Sequence, residues 1–243
     1  MDALIEGGVD ILLIETIFDT LNAKVAVDAA LSAMQARGVE LPIMLSATVS
    51  DLAGRTLSGQ TLDAFLASIS SYPIFSVGLN CSFGARQMLP FLRQLARKAP
   101  YYISAYPNAG LPNAMGLYDE TPETMAPQIA EMIDEQLVNI VGGCCGTDDA
   151  FIAKYVPLVE GKTPRTPVAK SETMWLSGLE LLDVTPEVRF VNVGERCNVA
   201  GSRKFLRLIQ EKKYDEAIAI ARKQVADGAR VIDANMDDAL LKL

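Results

Sequence analysis

Short apolar runs alternate with amphipathic helical stretches along residues 1–160. Five runs have the length of a strand, and each ends in a polar or glycine-rich segment; they are Ile11–Ile14, Ile43–Ser46, Phe75–Leu79, Tyr102–Ala105 and Asn139–Val141. The stretch 62–69 between two of them has apolar residues at the i, i+3, i+4 and i+7 positions of a helix that buries one face. This alternation predicts consecutive parallel βα units.

The spacing of the five runs narrows the fold. Their ends lie about 30 residues apart, which is the length of a βα unit. A complete (β/α)8 barrel takes about 250 residues, so five units within residues 1–160 predict the last part of such a TIM barrel. A complete five-stranded doubly wound sheet has the same periodicity and stays open as the alternative.

The pattern changes after Gly161. Residues 161–188 contain several prolines among Lys, Thr and Ser and are predicted to be a linker. Residues 189–243 are predicted to begin a second α/β domain; its elements are a strand at Phe190–Val193, helices at about 202–211 and 215–227, and a strand at Arg230–Ile232. Since two strands cannot enclose an α/β core, we expect this part to lack most of its natural sequence or to pack against a partner.

Charge and hydropathy exclude several classes of protein. The chain has 22 Lys and Arg against 30 Asp and Glu, a net charge of −8, and no basic run, so we expect no nucleic-acid partner. The longest apolar stretches have only the length of a strand, and the N-terminus lacks a basic segment leading into an apolar one. We therefore predict neither a membrane span nor a signal peptide, and expect a cytoplasmic protein.

The chain has four cysteines and no histidine. Without histidine, a Ser-His-Asp or Cys-His nucleophile is excluded, and so is a metal site that needs imidazole. Four cysteines in a cytoplasmic chain favour a metal or redox site over a disulfide framework. The remaining chemistry must use thiols, carboxylates, hydroxyls or a bound cofactor.

Three of the cysteines follow the carboxyl ends of predicted strands, where α/β barrels carry their chemistry. Cys81 follows the third run, and Cys144 and Cys145 follow the fifth, among glycines that allow adjacent cysteines to reach one ion. Three thiolates and one open position suit a catalytic zinc site. Three ordinary buried thiols, or a redox-active pair at Cys144 and Cys145, are the alternatives.

The three thiolate ligands of the predicted zinc site also indicate the class of substrate. A zinc ion with three thiolates is electron-rich and is a poor Lewis acid for carbonyls, but it can hold a fourth thiol as the thiolate at neutral pH. We therefore predict a thiol substrate whose sulfur attacks an electrophilic carbon, and alkyl transfer fits this best.

The segments around these cysteines resemble known sequences. The homocysteine-binding module of cobalamin-dependent methionine synthases is similar to LLIETIFDTLNAK (12–24), GLNCSFGA (78–85), SAYPNAGLPN (104–113) and VGGCCGT (141–147). The start of the methyltetrahydrofolate module of the same family, a pattern related to dihydropteroate synthases, is similar to FVNVGERCNVAGSRKF (190–205) and VIDANMDD (231–238). The two modules occur in the family's order and together span most of the chain.

For the first module, the resemblance implies a zinc site and a substrate. Cys81, Cys144 and Cys145 would bind zinc, and the sulfur of homocysteine would become its further ligand. Asn108 would occupy or guard the open position before substrate arrives. Glu15, at the end of the first predicted strand, would hold the ammonium group of the substrate; a helix-capping or barrel-layer carboxylate is the alternative for Glu15.

For the second module, the resemblance implies a pterin site. Its motif residues are Glu195, Asn198, Asp233 and Asn235, and acids and amides suit the alternating donors and acceptors of a pterin ring. Turn formation or capping is the alternative role for Asn198 and Asn235. Cys197 stands where the family usually has Thr, which places a side-chain hydroxyl contact there in doubt.

The family enzymes are much longer and transfer a methyl group from 5-methyltetrahydrofolate to cobalamin and then to homocysteine, giving methionine. A histidine ligates cobalamin in that family, so this chain is not expected to hold the cobalamin-binding module. We expect the chain to be a fragment that begins inside one barrel, stops inside the second and does not complete the cycle alone. The alternatives are a cobalamin-independent homocysteine methyltransferase and a non-catalytic fragment.

Overall fold

The computed structural model describes residues 1–237 and forms two compact units, Met1–Leu182 and Asp183–Leu243. We refer to them as the first and the second unit. The last residue of the motif at 231–238, Asp238, and the rest of the predicted second domain up to residue 243 lie outside the described residues.

Five parallel strands form the sheet of the first unit. They are β1 (Leu12–Ile17), β2 (Ile43–Ala47), β3 (Ser76–Gly84), β4 (Tyr102–Asn108) and β5 (Ile140–Val141). Their order in the sheet is their order in the chain, β1-β2-β3-β4-β5, and every pairing is parallel. Sequential order is typical of a barrel, whereas a doubly wound sheet reverses its order at a switch point. The α/β prediction is confirmed, and the sheet is consistent with part of a TIM-barrel-like domain.

Six helices accompany this sheet. They are α1 (Asp2–Glu6), α2 (Thr20–Arg37), α3 (Leu62–Ile69), α4 (Ala85–Lys98), α5 (Pro122–Asp134) and α6 (Asp149–Val159). Helix α5 begins with a capping box between Thr121 and Thr124, and the side chain of Asp148 caps α6. Such caps satisfy amide N–H groups that have no partner within the helix, so they set where each helix begins after its strand.

The main core lies between the sheet and its helices. Leu45, Val77 and Ile103 are in register on adjacent strands, and none of them is exposed to solvent. The apolar positions of 62–69 that predicted a helix are all buried in this core. The strands are therefore held firmly, and the loops at their carboxyl ends start from fixed positions.

The segment 161–182 belongs to the first unit and packs against the rest of it. The guanidinium of Arg165 is buried and donates hydrogen bonds to the carbonyl groups of Ala96, Ala99 and Tyr101 at the end of α4. Strand β6 (Met174–Ser177) packs on α3, where Ser177 Oγ donates to the carbonyl of Ala64, and it pairs with β7 (Leu181–Val184). A 3-10 turn follows at Pro186–Val188. The boundaries of the linker and the domains stay predictions.

The second unit contains one βααβ segment. Parallel strands β8 (Val193–Asn198) and β9 (Val231–Asn235) flank α7 (Arg203–Gln210) and α8 (Tyr214–Ala226). Its small core is formed mainly by α7 and β8. A second barrel stays a prediction.

The strand predicted at Phe190–Val193 is misplaced. The strand runs over Val193–Asn198 instead, and the ring of Phe190 is 81% exposed. The buried positions of this strand are Gly194 and Cys197, which do not read as an apolar run. Within residues 1–237, no helix has both the length and the apolar character required to cross a membrane.

Candidate metal centre

Three sulfur atoms meet at the carboxyl end of the sheet. Cys144 and Cys145 follow β5 as predicted, whereas Cys81 lies within the irregular last part of β3 and not after it. The Sγ atom of Cys145 lies 3.7 Å from Sγ of Cys81 and 3.9 Å from Sγ of Cys144. All three Sγ atoms lie within 4.8 Å of one another, and Cys145 is exposed while the other two are half-buried. The sequence prediction that these cysteines share one site is therefore matched by their positions.

The end of β3 leaves regular strand geometry at Cys81. Cys81 and Ser82 have φ values of 63° and 59°, in the left-handed region that few residues other than glycine adopt. The pairing of β3 with β4 is interrupted between Asn80 and Gly84 at the same point. This local distortion directs Cys81 toward the loop after β5.

The loop after β5 brings the two adjacent cysteines close to β4. The amide of Cys144 donates to the carbonyl of Pro107 at 2.9 Å, and the amide of Ala109 donates to the carbonyl of Cys145 at 2.9 Å. Gly146 has a φ of 79°, and a Cβ atom there would lie 2.5 Å from Cγ of Tyr118. Gly146 is thus required by close packing as well as by backbone conformation.

Asn108 supports the cysteine loop from β4. Its side chain is 2% exposed, and its Oδ1 atom accepts a hydrogen bond of 3.1 Å from the amide of Cys145. In this arrangement the side-chain oxygen of Asn108 is engaged by a backbone N–H group of the cysteine loop. It is close enough to the sulfur cluster for the guarding role that the resemblance implies, and that role stays a proposal.

Asn80 contacts the same cluster from β3. Its Nδ2 atom lies 3.9 Å from Sγ of Cys144 and donates to it, and it also donates to Oγ1 of Thr16 on β1 at 3.0 Å. Its Oδ1 atom accepts from the amide of Thr16 and from the hydroxyl of Ser46. A single buried amide thus links three strands to one of the cysteines.

The thiols differ in their electrostatic surroundings. Burial raises the pKa of Cys144 to about 11, and the neighbouring thiols add to this shift. Burial also acts to raise the pKa of Cys145, but hydrogen bonds from Cys81, Tyr118 and Cys144 outweigh it and lower the value. The hydroxyl of Tyr118 is the donor to Cys145, and this hydrogen bond raises the pKa of Tyr118 itself.

The sulfur cluster fits zinc. Sulfur atoms at the corners of a tetrahedron with Zn–S bonds of about 2.3 Å are about 3.8 Å apart, close to the two shorter separations seen here. Three soft donors with Cys145 facing solvent match a site with an open position. The described residues therefore contain a cysteine cluster able to bind a metal ion.

Glu15 lies within β1 and not at its end, because the strand continues to Ile17. Its side chain is exposed, and its charge reaches Tyr106 on β4: burial raises the pKa of Tyr106, and Glu15 raises it further. Since Thr16 follows Glu15 and hydrogen bonds to Asn80, the acid belongs to the same end of the sheet as the sulfur cluster.

In the second unit, the predicted pterin residues meet only in part. Asn235 donates to Oδ1 of Asn198 at 3.2 Å, and that oxygen also accepts from the amides of Ala200 and Gly201. Glu195 and Asp233 are exposed, and within residues 1–237 neither hydrogen bonds to this pair. Cys197 is buried in the small core.

Tyr118 is the contact that sequence reasoning missed. It lies in the loop between β4 and α5, which has no hydrophobic periodicity. Asn113 organises that loop, because its Oδ1 atom accepts from the amides of Met115 and Leu117. A loop tyrosine carries no signal in a single sequence, although the glycine at 146 is consistent with a large neighbour.

Comparisons with known proteins match the two units of the chain to two different families. A family model described as homocysteine S-methyltransferase matches residues 1–158, and one described as pterin binding enzyme matches residues 194–240. Among solved structures, the metallated form of the homocysteine methyltransferase MmuM from Escherichia coli is similar at 23% identity, with a TM-score of 0.47. That alignment covers 63% of this chain and 46% of the MmuM chain, so the chain spans less than half the length of this relative.

Proposed function

The chain belongs to the homocysteine S-methyltransferase family, and we propose that its first unit binds zinc through Cys81, Cys144 and Cys145 and accepts a methyl group on the sulfur of homocysteine. The observation that carries this proposal is the convergence of the three Sγ atoms within 4.8 Å. In the reaction, the homocysteine sulfur attacks the methyl carbon of a donor, and the donor leaves with the bonding electrons. The product is methionine.

The cysteines and the groups that hydrogen bond to them have different roles at this site. Zinc, when bound, would keep the substrate thiol in its thiolate form near neutral pH. The three cysteines hold the metal, and the hydrogen bonds from Asn80, Tyr118 and the protein backbone hold the cysteines. Because the amide of Cys145 donates to Asn108, we infer that Asn108 sets the direction of the cysteine loop and guards the open position of the metal.

The ammonium group of homocysteine is assigned to Glu15. This carboxylate is exposed on the strand whose next residue, Thr16, is bonded to Asn80. An exposed acid at the same sheet end as the sulfur cluster attracts a cationic group to a position near the metal. The positive charge of the substrate therefore selects one orientation of its thiol.

The donor proposed for this site is methylcobalamin, itself methylated by 5-methyltetrahydrofolate, and carried by a cobalamin-binding module. No residue of this chain is proposed to ligate cobalamin. The match of residues 194–240 to pterin binding enzymes supports a folate substrate for the second unit, where Glu195, Asn198, Asp233 and Asn235 are the proposed contacts. Proteins that use a sulfonium or betaine donor have no need of such a unit.

Metal content and substrate binding test the proposal. We expect the purified 243-residue chain to contain about one zinc per chain by elemental analysis, and homocysteine to bind the zinc-loaded chain in calorimetry. A chain with Cys81→Ala and Cys144→Ala should lose both, because one thiolate cannot hold zinc at a tetrahedral site. The matched control is Cys197→Ala, which removes the cysteine that lies in the other unit and should retain zinc.

The donor is tested separately by methionine formation. Methionine from methylcobalamin added in solution supports the cobalamin-dependent assignment, whereas methionine from a sulfonium or betaine donor alone supports the cobalamin-independent alternative. Zinc retained by the double cysteine variant would contradict the metal site. Zinc binding without binding of homocysteine would indicate a structural metal site and would contradict the proposal that homocysteine is the substrate.

A further inference from the structure

Asn80 occupies an unusual position next to the first cysteine. Its side chain is 1% exposed, yet every polar atom of the amide has a partner. The oxygen accepts from the Thr16 amide at 3.0 Å and from the Ser46 hydroxyl at 2.7 Å. A buried amide with these four contacts is a rigid connection between β1, β2, β3 and the loop after β5.

The contact with Thr16 holds a residue that is not in a relaxed conformation. Thr16 has a φ of 58°, which a β-branched residue rarely adopts, and the pairing of β1 with β2 is irregular between Ile14 and Ile17. The side chain of Asn80 bonds both the amide and the hydroxyl of Thr16. Such a double contact compensates for the strained backbone directly after Glu15.

The contact with Cys144 comes from the same amide nitrogen. The Nδ2 atom lies 3.9 Å from Sγ of a half-buried thiol whose neighbours are two other sulfur atoms. Hydrogen bonds from outside a metal site to its ligands orient those ligands and tune their donor strength. The position of Cys144 and the position of Glu15 thus depend on one side chain.

We propose that Asn80 is a positioning residue that couples the sulfur cluster to the end of β1: its amide orients Cys144 for the metal and holds Thr16 so that Glu15 faces the substrate. This inference rests on the proposed function. Only asparagine supplies both an acceptor for the Thr16 amide and a donor for the sulfur at this side-chain length. Aspartate has the same shape but has no N–H to donate.

The decisive variant is Asn80→Asp. The acceptor toward the Thr16 amide and the Ser46 hydroxyl remains, and the Thr16 hydroxyl can turn to donate to the new carboxylate. The donor toward Cys144 is lost, because a carboxylate oxygen replaces the Nδ2 atom. We expect the zinc dissociation constant, measured by competition with a chromophoric chelator, to rise about 10- to 100-fold. In the Co²⁺-loaded chain, we expect the sulfur-to-cobalt charge-transfer band to shift, because the sulfur loses its N–H donor.

The matched control is Thr48→Val. Thr48 donates to the backbone carbonyl of Asn80 at 3.2 Å, so this change removes a buried hydrogen bond from the same residue and leaves the amide side chain in place. A general loss of order near Asn80 would affect both variants. Equal zinc affinities and equal cobalt spectra for Asn80→Asp and the unaltered chain would overturn the coupling of Asn80 to Cys144.

A second variant, Thr16→Val, tests the other half of the proposal even if Asn80→Asp does not fold. It removes the hydroxyl that Asn80 binds on an exposed residue and leaves the contact with Cys144. We expect homocysteine affinity to fall about 3- to 10-fold, the value of one hydrogen bond, with zinc affinity unchanged. An unchanged homocysteine affinity would overturn the link to β1. Failure of the proposed function is recognised separately, as zinc retained after Cys81→Ala with Cys144→Ala.

Discussion

The two units of the chain arrange their polar motif residues differently. In the first unit, residues far apart in the chain, such as Asn80 and Cys144, meet at one end of a five-stranded sheet with a large core. In the second unit, Asn198 and Asn235 bind one another, while Glu195 and Asp233 remain exposed. The polar residues of the first unit come together only because several strands are fixed in one sheet. Such an arrangement supports a functional site more strongly than a short motif whose polar groups hydrogen bond to one another.

The difference has a physical origin in the number of strands. Each parallel strand of the first unit is fixed by buried residues, so the loops that follow it are held in place. The second unit has only two paired strands and a small core. We therefore expect substitutions near the sulfur cluster to change stability and metal binding together, and substitutions at the proposed pterin residues to change binding alone.

The largest effect on stability is expected from Gly146→Ala. Its Cβ would lie 2.5 Å from Cγ and 2.6 Å from Cβ of Tyr118, and the residue has a φ of 79°. We expect a loss of about 2–4 kcal/mol in the free energy of unfolding, measured with urea, together with loss of zinc. Gly161→Ala is the control, because Gly161 also has a positive φ of 69° but nothing lies within 4 Å, and it should cost only about 1 kcal/mol. Equal losses for the two variants would refute the packing of Tyr118 against the cysteine loop.

Much of the first unit could be predicted from its sequence because periodicity and burial coincide there. The run Phe75–Leu79 predicted β3, and Val77 and Leu79 are buried. The common edge of parallel strand ends then predicted that Cys81 would meet Cys144 and Cys145, which the structure shows. Hydrophobic periodicity and the common edge of parallel strand ends were therefore sufficient to predict that the three cysteines lie together.

The remaining features depend on contacts that leave no periodic signal. Tyr118 reaches Cys145 from a loop, and the hydrogen bonds of Asn80 follow from a left-handed Thr16 that no propensity favours. In the second unit, strand β8 was misplaced because its buried positions are a glycine and a cysteine. Such features are determined by tertiary packing and not by local sequence.

An intermediate effect is expected from Asn108→Ala. The change removes the acceptor of the Cys145 amide at a residue that is 2% exposed, so an N–H group beside the sulfur cluster loses its partner. We expect a cost of about 1–3 kcal/mol in urea unfolding and a decrease of about 10-fold or more in zinc affinity. Asn235→Ala is the matched change in the second unit, where the lost bond to Asn198 is half-buried, and it should leave zinc affinity unchanged. An equal decrease of zinc affinity in both variants would contradict the prediction that only the first unit supports the metal site.

The smallest effect on stability is expected from Asp233→Asn. Asp233 is exposed on β9, so the free energy of unfolding should change by less than about 0.5 kcal/mol. If the second unit binds a pterin through this carboxylate, the affinity for 5-methyltetrahydrofolate, measured by calorimetry, should fall about 10- to 100-fold, as expected when a hydrogen bond to a charged group is lost. Asp215→Asn, an equally exposed acid at the start of α8, is the control and should retain full affinity. Identical folate binding by the two variants would remove Asp233 from the site and would leave Glu195 as the acidic contact proposed for the second unit.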